Sequence, residues 1–234
     1  MIIEYMGHSC FRVKDFQDTG YKVVFDPYKI GSVPGYRELG EEGRANVVLC
    51  SHEHDDHFGM DNVSVEPFDG ECPFEIEKID SFHDDEHGAL RGTNIVHVVT
   101  LKSTGEKVVH YGDFGMDVDE FLTEENLAKV SGADYAFVPV GGVYTIDAEH
   151  AVELIEKTQP KVAIAMHYRN DTCKCGYDNL TSERDFLMKG MEMCHETQYM
   201  KFSFIDTNEE EIDYEIISLM PECCTIHDQL AGGR

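Results

Sequence analysis

A strand-like apolar run that leads directly into a histidine cluster constrains this chain more than any other feature. Residues 47–51 have the sequence VVLCS, and residues 52–57 have the sequence HEHDDH. A short apolar, β-branched run of this kind predicts a buried strand. Side chains two residues apart share one face of an extended chain, so the imidazoles of His52 and His54 can bind one cation. A turn directly afterwards would bring Asp56 and His57 to a second cation beside the first.

Three more candidate ligands favour a metal site over the alternative of an acidic, histidine-rich surface loop. His83, Asp113 and His167 each end a predicted strand, with the preceding sequences IDSF, VVHYG and VAIAM. Ligands that converge from several strand ends are held rigidly, as a metal site requires. His87 competes with His83 because it lies four residues further along the same loop. We favour His83 because it ends the strand.

The two halves of the chain differ in their strand and helix patterns. Strands are predicted in the first half at residues 2–5, 10–14, 21–26, 46–51, 74–82, 93–101 and 107–111. The second half alternates, with helices at 120–130, 148–157 and 181–194, strands at 135–138, 162–166, 200–205 and 212–218, and Asp147 as the N-cap of the second helix. This order predicts two sheets packed face to face with helices outside. We expect one domain over residues 1–220 and a poorly ordered tail over residues 221–234.

The net charge restricts the partners of the chain. Lys and Arg number 19 against 46 Asp and Glu, which gives 19 − 46 = −27 with histidine neutral. A field of this sign repels phosphate backbones and anionic lipid surfaces, so we expect neither nucleic-acid nor membrane binding. Small substrates or bound cations fit this charge better.

The N-terminal sequence and the cysteines indicate the compartment. The chain starts without a basic segment followed by an apolar stretch, and no apolar run reaches membrane-spanning length. We therefore expect a cytoplasmic location, and reduced thiols rather than disulfides for the 8 cysteines.

The histidine cluster, followed by His83, Gly112-Asp113 and Met166-His167, resembles the metallo-β-lactamase superfamily. The resemblance is closer to its ascorbate-phosphate-lactonase-like branch of small hydrolases and extends from about residue 3 to residue 168. Four further segments resemble that branch: GHSCF at 7–11, FDP at 25–27, RGTN at 91–94 and PVGGVYTID at 139–147.

This resemblance implies an α+β fold, the αββα four-layer sandwich, with two mixed sheets, outer helices and the site along one edge. It implies that one metal ion is bound by His52, His54 and His83, and the other by Asp56, His57 and His167. Asp113 would bridge the two ions. Asp26 would hydrogen-bond to a ligand, and His8 and Tyr144 would lie near the substrate.

The sequence departs from the superfamily pattern in two places. The interval from His57 to His83 is short, so less protein surrounds the site than in lactamases or ribonuclease Z. His167 is followed by an unusual polar loop at residues 169–178, which we expect to border the site and help to select the substrate.

Several other polar residues and cysteines are assigned no catalytic or metal-binding role. We assign no role to His97, His110, His150, His195 and His227, and expect alanine at His110 to leave metal content unchanged. Cys173 and Cys175 are interpreted as part of a flexible loop, since two thiols do not make a four-ligand structural site. We interpret the remaining acidic residues of the two ligand loops as solvated charges: Glu53, Asp55, Asp84, Asp85 and Glu86.

The favoured function is hydrolysis of a small ester, lactone or phosphate-bearing metabolite by a hydroxide held between two divalent transition-metal ions. Histidine and carboxylate ligands suit zinc, which we place first, and also manganese, iron and nickel. Asp56 would also take a proton from the attacking water, and His8, Tyr144 or Arg169 would contact the substrate. The alternatives are a phosphodiesterase or nuclease of the ribonuclease Z type and a non-catalytic metal-binding module. The expected partner is a small-molecule substrate, and a homo-oligomer is possible.

Overall fold

The computed structural model describes residues 1–16, 18–209 and 212–224. The strands of these residues are β1 (Ile2–Gly7), β2 (Cys10–Lys14), β3 (Lys22–Phe25), β4 (Arg44–Ala45), β5 (Val47–Leu49), β6 (Ser64–Val65), β7 (Phe74–Phe82), β8 (Thr93–Leu101), β9 (Lys107–His110), β10 (Tyr135–Pro139), β11 (Val162–Met166), β12 (Thr197–Tyr199), β13 (Phe204–Asp206) and β14 (Ile216–Ser218). The α-helices are α1 (Val118–Phe121), α2 (Glu124–Val130), α3 (Ala148–Thr158) and α4 (Glu183–Glu192).

Two mixed sheets form the body of the protein, as the sequence predicts. The first has the order β13-β1-β2-β3-β5 and is antiparallel except where β3 pairs with β5. The second has the order β12-β14-β11-β10-β9-β8-β7, parallel from β12 to β9 and antiparallel from β9 to β7. Parallel neighbours end at the same edge of a sheet, which is where the residues that follow β5, β9 and β11 lie.

Aromatic side chains join the two sheets across a common core. Phe11 of β2 stacks on Phe137 of β10, with ring centroids 3.9 Å apart, and both are fully buried. Phe25 packs edge-on against Phe137 from β3. Because truncation of such a ring leaves a cavity, Phe11→Ala would cost about 3–5 kcal/mol of stability.

The helix boundaries follow from capping side chains. Asp147 accepts a hydrogen bond from His150 N and caps α3, which confirms the predicted N-cap. The helix predicted at 120–130 is instead divided into α1 and α2, because Thr123 caps a new helix by accepting from Asn126 N. Ser182 caps α4 in the same way.

The outer face of the first sheet is covered by a second apolar cluster. Met6, Cys10 and Val24 pack there against side chains of the following loops, including Tyr28 and Tyr36. Four cysteines complete the cluster: Cys173, Cys175, Cys223 and Cys224.

The start of the predicted tail belongs to the packed structure. Cys223 and Cys224 are buried, and Cys223 N donates to Met6 O at 3.0 Å. Residues 225–234, including His227, lie outside the described residues. In place of the two strands predicted at 200–205 and 212–218, the structure has three shorter ones, β12, β13 and β14. Within the described part of the chain, no helix is long and apolar enough to cross a membrane.

Candidate metal centre

All seven predicted ligands come together at one edge of the two sheets. The cluster at 52–57 follows β5, His83 follows β7, Asp113 follows β9 and His167 follows β11. The ligand atoms form three overlapping groups, and the atoms of each lie within 4.8 Å of one another: His52, His54 and His83; His8, Asp56, His57 and His167; and His52, His57 and Asp113.

The first two groups correspond to the two ion sites that the resemblance implies. The rings of His52, His54 and His83 are 4.5, 4.8 and 5.1 Å apart, so three imidazoles surround one point. The second group contains His8 in addition to the predicted set. His8 Nε2 lies 3.1 Å from Asp56 Oδ2, and its ring packs 4.3 Å from that of His167. His8 is fully buried and is not among the residues that line the cleft over the ligands, so its proximity to the substrate stays a prediction.

Asp113 lies between the two groups. Its Oδ2 is 3.1 Å from His83 Nε2 and 3.2 Å from His167 Nε2, and its Oδ1 is 3.2 Å from His57 Nε2. His52 Nε2 is 3.9 Å from Oδ2. This buried carboxylate therefore contacts imidazoles of both groups, which is the position that a bridging ligand needs.

Asp26 orients two of the imidazoles from behind. Its Oδ2 is 2.8 Å from His57 Nδ1 and accepts a 2.6 Å hydrogen bond from the Ser51 hydroxyl, and its Oδ1 accepts a 2.6 Å hydrogen bond from the Ser51 amide. The same hydroxyl lies 2.9 Å from His52 Nδ1. A carboxylate on Nδ1 fixes the tautomer that leaves Nε2 free for a metal, and Asp26 is placed to do this for His57.

The site concentrates opposite charges in a buried volume. Burial alone would raise the pKa of Asp113, but the neighbouring His167 and His57 outweigh it and hold that pKa well below its usual range. Burial also disfavours the charged form of His57, yet Asp113 and Asp56 raise its pKa. Burial and the neighbouring His57 lower the pKa of His52 to about 3, so this imidazole is neutral at pH 7. A neutral imidazole is the form that binds metal.

The donor atoms fit divalent transition metals. Among the buried site atoms of the described residues that have no hydrogen-bond partner are three from one ligand group: His52 Nε2, His57 Nε2 and Asp113 Oδ1. Buried polar atoms are costly when unpaired, and these three face a common centre. Imidazole nitrogen and carboxylate oxygen are the ligands that zinc and its neighbours take. The residues present therefore fit ions of this class.

Unusual backbone conformations bring the strand ends together. His8 and His167 have φ of 55° and 53°, and His167 N donates to His8 O at 2.9 Å, which joins the two sheets at the site. Gly112 has φ +59°, and a Cβ there would collide with the side chains of Asn94 and Ser51. Asn94 Oδ1 in turn accepts from Asp113 N at 2.9 Å. Such strain is characteristic of functional sites.

A cleft of about 410 Å³ opens over the ligands. It is lined by His54, Asp56, His83, Arg91, Asp113, Tyr144, His167 and Tyr177. Tyr144 is therefore among the residues that line this cleft. Arg169 is not among the lining residues, because its guanidinium is bound to Asp171 and to the carbonyl oxygens of Asp178 and Leu180.

The loop that contains Arg169 nevertheless borders the cleft. Tyr177 lines it and packs edge-on against His8 at 5.6 Å. Cys173 and Cys175 of the same loop are buried in the second apolar cluster, so their assignment to a flexible loop is wrong. Their pKa values are raised, in part by neighbouring thiols and in part by burial, so both stay protonated.

Three residues near the site escaped the sequence analysis or were interpreted wrongly. Asp84 is 2% exposed and accepts four backbone hydrogen bonds, so it is not a solvated charge. His110 is fully buried, lies 2.8 Å from Ser9 O through Nε2, and accepts from Gly112 N beside Asp113. It is therefore unsuitable as a neutral control position. Arg91 lines the cleft where Arg169 was expected; its place in the RGTN segment was the only sequence indication.

Comparison with known proteins gives the family. The family model of the beta-lactamase superfamily domain matches residues 2–167. A UPF0173 metal-dependent hydrolase of Carboxydothermus hydrogenoformans is 28% identical over 200 residues, which cover 72% of this chain and 84% of that protein. One of Archaeoglobus fulgidus is 27% identical over 202 residues, covering 72% and 83%. A crystal structure from Thermotoga maritima, described as a candidate Zn-dependent hydrolase of the metallo-beta-lactamase superfamily, is 25% identical with a TM-score of 0.63, covering 93% of this chain and 97% of that one.

Fold, site and relatives together define the class of metal-dependent hydrolases with a sandwich of two mixed sheets. The chain belongs to the metallo-beta-lactamase superfamily, which confirms the resemblance inferred from the histidine cluster. The narrower resemblance to the ascorbate-phosphate-lactonase-like branch rests on the sequence motifs alone.

Proposed function

We propose that this chain hydrolyses a small ester, lactone or phosphate-bearing metabolite with two divalent transition-metal ions bound at the strand ends. The observation that carries the proposal is the position of Asp113, whose two oxygens contact imidazoles of both ligand groups. A carboxylate in that position supports two adjacent ions better than one. Zinc is the first candidate, and manganese, iron and nickel suit the same ligands.

The ligand sets follow from the groups of donor atoms. His52, His54 and His83 would bind one ion, and Asp56, His57 and His167 the other. When bound, such a pair lowers the pKa of water, polarises a carbonyl or phosphoryl oxygen and stabilises negative charge that develops on it.

Asp56 is the residue proposed to orient the attacking water. It lines the cleft, and its Oδ2 is held by His8 at 3.1 Å. Burial would raise its pKa, but His57 and His8 outweigh burial and lower it. A carboxylate of low pKa stays ionised and is a weak base, so Asp56 accepts a hydrogen bond from water more readily than it stores a proton.

Tyr144 is proposed to contact the substrate. Its hydroxyl accepts a 2.8 Å hydrogen bond from Asn179 Nδ2, which fixes the oxygen and leaves its own proton free to donate. A cleft of about 410 Å³ suits a small molecule. The net charge of −27 also favours small substrates over polyanions such as RNA.

The test is turnover by protein of known metal content. Protein loaded separately with zinc, manganese, iron or nickel is analysed for bound metal and assayed on phenyl esters, lactones, phosphorylated sugars and cyclic phosphodiesters. We expect close to two ions per chain and hydrolysis of one small class. Two bound ions without turnover would favour a metal-binding module, and faster cleavage of structured RNA would favour the ribonuclease Z type.

A further inference from the structure

We propose that the substrate carries an anionic group, a carboxylate or a phosphate, and that Arg91 binds this group in the cleft. This inference rests on the proposed function, because it names the class of molecule that the same site hydrolyses. Arg91 lines the cleft together with Asp56, Asp113 and His167, so a group bound by its guanidinium lies beside the ligands.

Arg91 is a cation without a carboxylate partner in the part of the chain that the structure describes. Its guanidinium makes one long hydrogen bond, from Nη2 to Val143 O at 3.4 Å, and lies over the ring of Tyr144, 5.7 Å from the centroid. The chain has 46 acidic residues against 19 basic ones, so acidic partners are abundant. A half-buried arginine that is left unpaired in such a protein has its donors available for a ligand.

The loop at residues 84–92 fixes the position of Arg91. The buried carboxylate of Asp84 accepts from the amides of Glu86 (3.0 Å), Gly88 (2.9 Å), Leu90 (3.1 Å) and Arg91 (2.7 Å). The last of these bonds holds the backbone of Arg91 itself.

The same loop is tied to the candidate ligand His83. His83 N donates to Gly92 O at 3.1 Å, which joins the two ends of the loop. Arg91 is therefore placed relative to the ligands before any substrate arrives, and preorganisation of this kind reduces the entropic cost of binding.

Tyr144 orients the guanidinium. The ring lies beneath Arg91, and its hydroxyl is held by Asn179. A guanidinium that lies over an aromatic ring keeps its edge free, and that edge matches a carboxylate or phosphate with two parallel hydrogen bonds.

The local charge favours an anion although the whole protein is acidic. The carboxylates Asp26, Asp56, Asp84 and Asp113 contribute −4 and two divalent ions would contribute +4, which leaves 0; Arg91 raises the sum to +1. Surface charges more than about 10 Å away are screened at ordinary ionic strength, so a small anion in the cleft experiences chiefly this local field. A polyanion would also meet the acidic surface.

The experiment compares two aryl acetates that differ chiefly in charge, 4-acetoxybenzoate and its methyl ester, on zinc-loaded protein, with release of acetate as the readout. The variants are Arg91→Met, Arg91→Lys and, as a matched loss of positive charge, Arg184→Met. Arg184 is exposed on α4 and lies outside the cleft. We expect Arg91→Met to raise KM for 4-acetoxybenzoate about tenfold or more, the size of one hydrogen bond to a charged group. The methyl ester should be unaffected, Arg91→Lys should recover part of the loss, and Arg184→Met should resemble the wild type.

A binding measurement separates this inference from the proposed function. Calorimetry gives Kd for benzoate and for benzamide without any turnover. If Arg91→Met weakens benzoate about tenfold but not benzamide, the anion site stands even where neither ester is hydrolysed, and only the proposed hydrolysis fails. If Arg91→Met leaves benzoate unchanged, or weakens both compounds equally, the inference is overturned.

Asp84 provides a second variant that acts through Arg91. Asp84→Asn should reduce the preference for the anionic ester over the neutral one. Combined with Arg91→Met it should reduce this preference no further, because both changes remove the same interaction. A purely structural role would instead lower kcat/KM for both esters alike, in the presence or absence of Arg91.

Discussion

Asp26→Asn is the substitution that tests the metal centre most directly, because one carboxylate orients imidazoles assigned to both ions. Asp26 lies 2.8 Å from His57 Nδ1 and accepts two 2.6 Å hydrogen bonds from Ser51, whose hydroxyl contacts His52. Its φ of 40° is tolerated by asparagine, so the backbone should remain in place.

The expected effect follows from hydrogen-bond donors and acceptors. Asparagine can still accept from the Ser51 amide, but its NH2 group would face His57 Nδ1, which must then become an acceptor. The ring proton moves to Nε2, the atom that lies 3.2 Å from Asp113 Oδ1 and would bind metal. Loss of a carboxylate behind a metal-binding histidine typically costs about 10- to 100-fold in affinity, or about 1.4–2.7 kcal/mol. The ion assigned to His57 should weaken most, because the Ser51 hydroxyl can reorient for His52.

Competition against a chromogenic chelator measures this affinity for each ion, and thermal unfolding measures stability. Asp15→Asn is the matched control. Asp15 is also buried, and accepts from Thr19 N and Oγ1 in the turn between β2 and β3, away from the site. Both variants should lose about 1–3 kcal/mol of stability. Unchanged metal affinity in Asp26→Asn, or an equal loss in Asp15→Asn, would refute the reasoning.

Three further predictions concern metal content and stability. Asp113→Ala should lose at least one of two ions and nearly all turnover, since no other carboxylate in the described site contacts both ligand groups as closely. Elemental analysis measures the ions, and Asp69→Ala, a change at an exposed residue, should retain both of them. Removal of the ions with a chelator should lower Tm, because ligand at 100 times Kd adds about 2.7 kcal/mol to the folded state; an unchanged Tm would argue against tight sites. Burial raises the pKa of Glu183 to about 7. The folded protein therefore keeps a proton that the unfolded chain releases at about pH 4.3, so the free energy of unfolding should fall as pH rises between these values. Glu183→Gln should remove this decline, on the order of 3 kcal/mol at most, in unfolding measurements at pH 5 and pH 8; equal pH dependence in both proteins would contradict it.

Local sequence pattern was sufficient for several strands, two of which precede candidate ligands. β2, β7, β8 and β11 begin and end where the apolar and β-branched runs predict, because buried strands need such runs whatever lies around them. The N-cap Asp147 was equally predictable, since its hydrogen bond to His150 N spans three residues. The histidines directly after β7 and β11, His83 and His167, could therefore be assigned to strand ends.

Partners that are distant in sequence were decided only by the tertiary structure. Asp84 appeared to be one acidic residue among several, and its burial depends on how residues 84–92 fold around it. His110 gained its contact with Ser9 O when the two sheets packed together, across 101 residues of sequence. Arg169 does not line the cleft, because Asp171 and two carbonyl oxygens bind its guanidinium, and Arg91 lines the cleft instead.

Short segments of the chain were enough to indicate which residues end the strands and which atoms they offer to metal, since both are local properties. The tertiary structure decided which of those residues face the cleft, which lie behind the ligands and which cation remains for a substrate. The physical reason is that a polar side chain acquires its role from its hydrogen-bond partners, and around this site those partners come from distant parts of the chain.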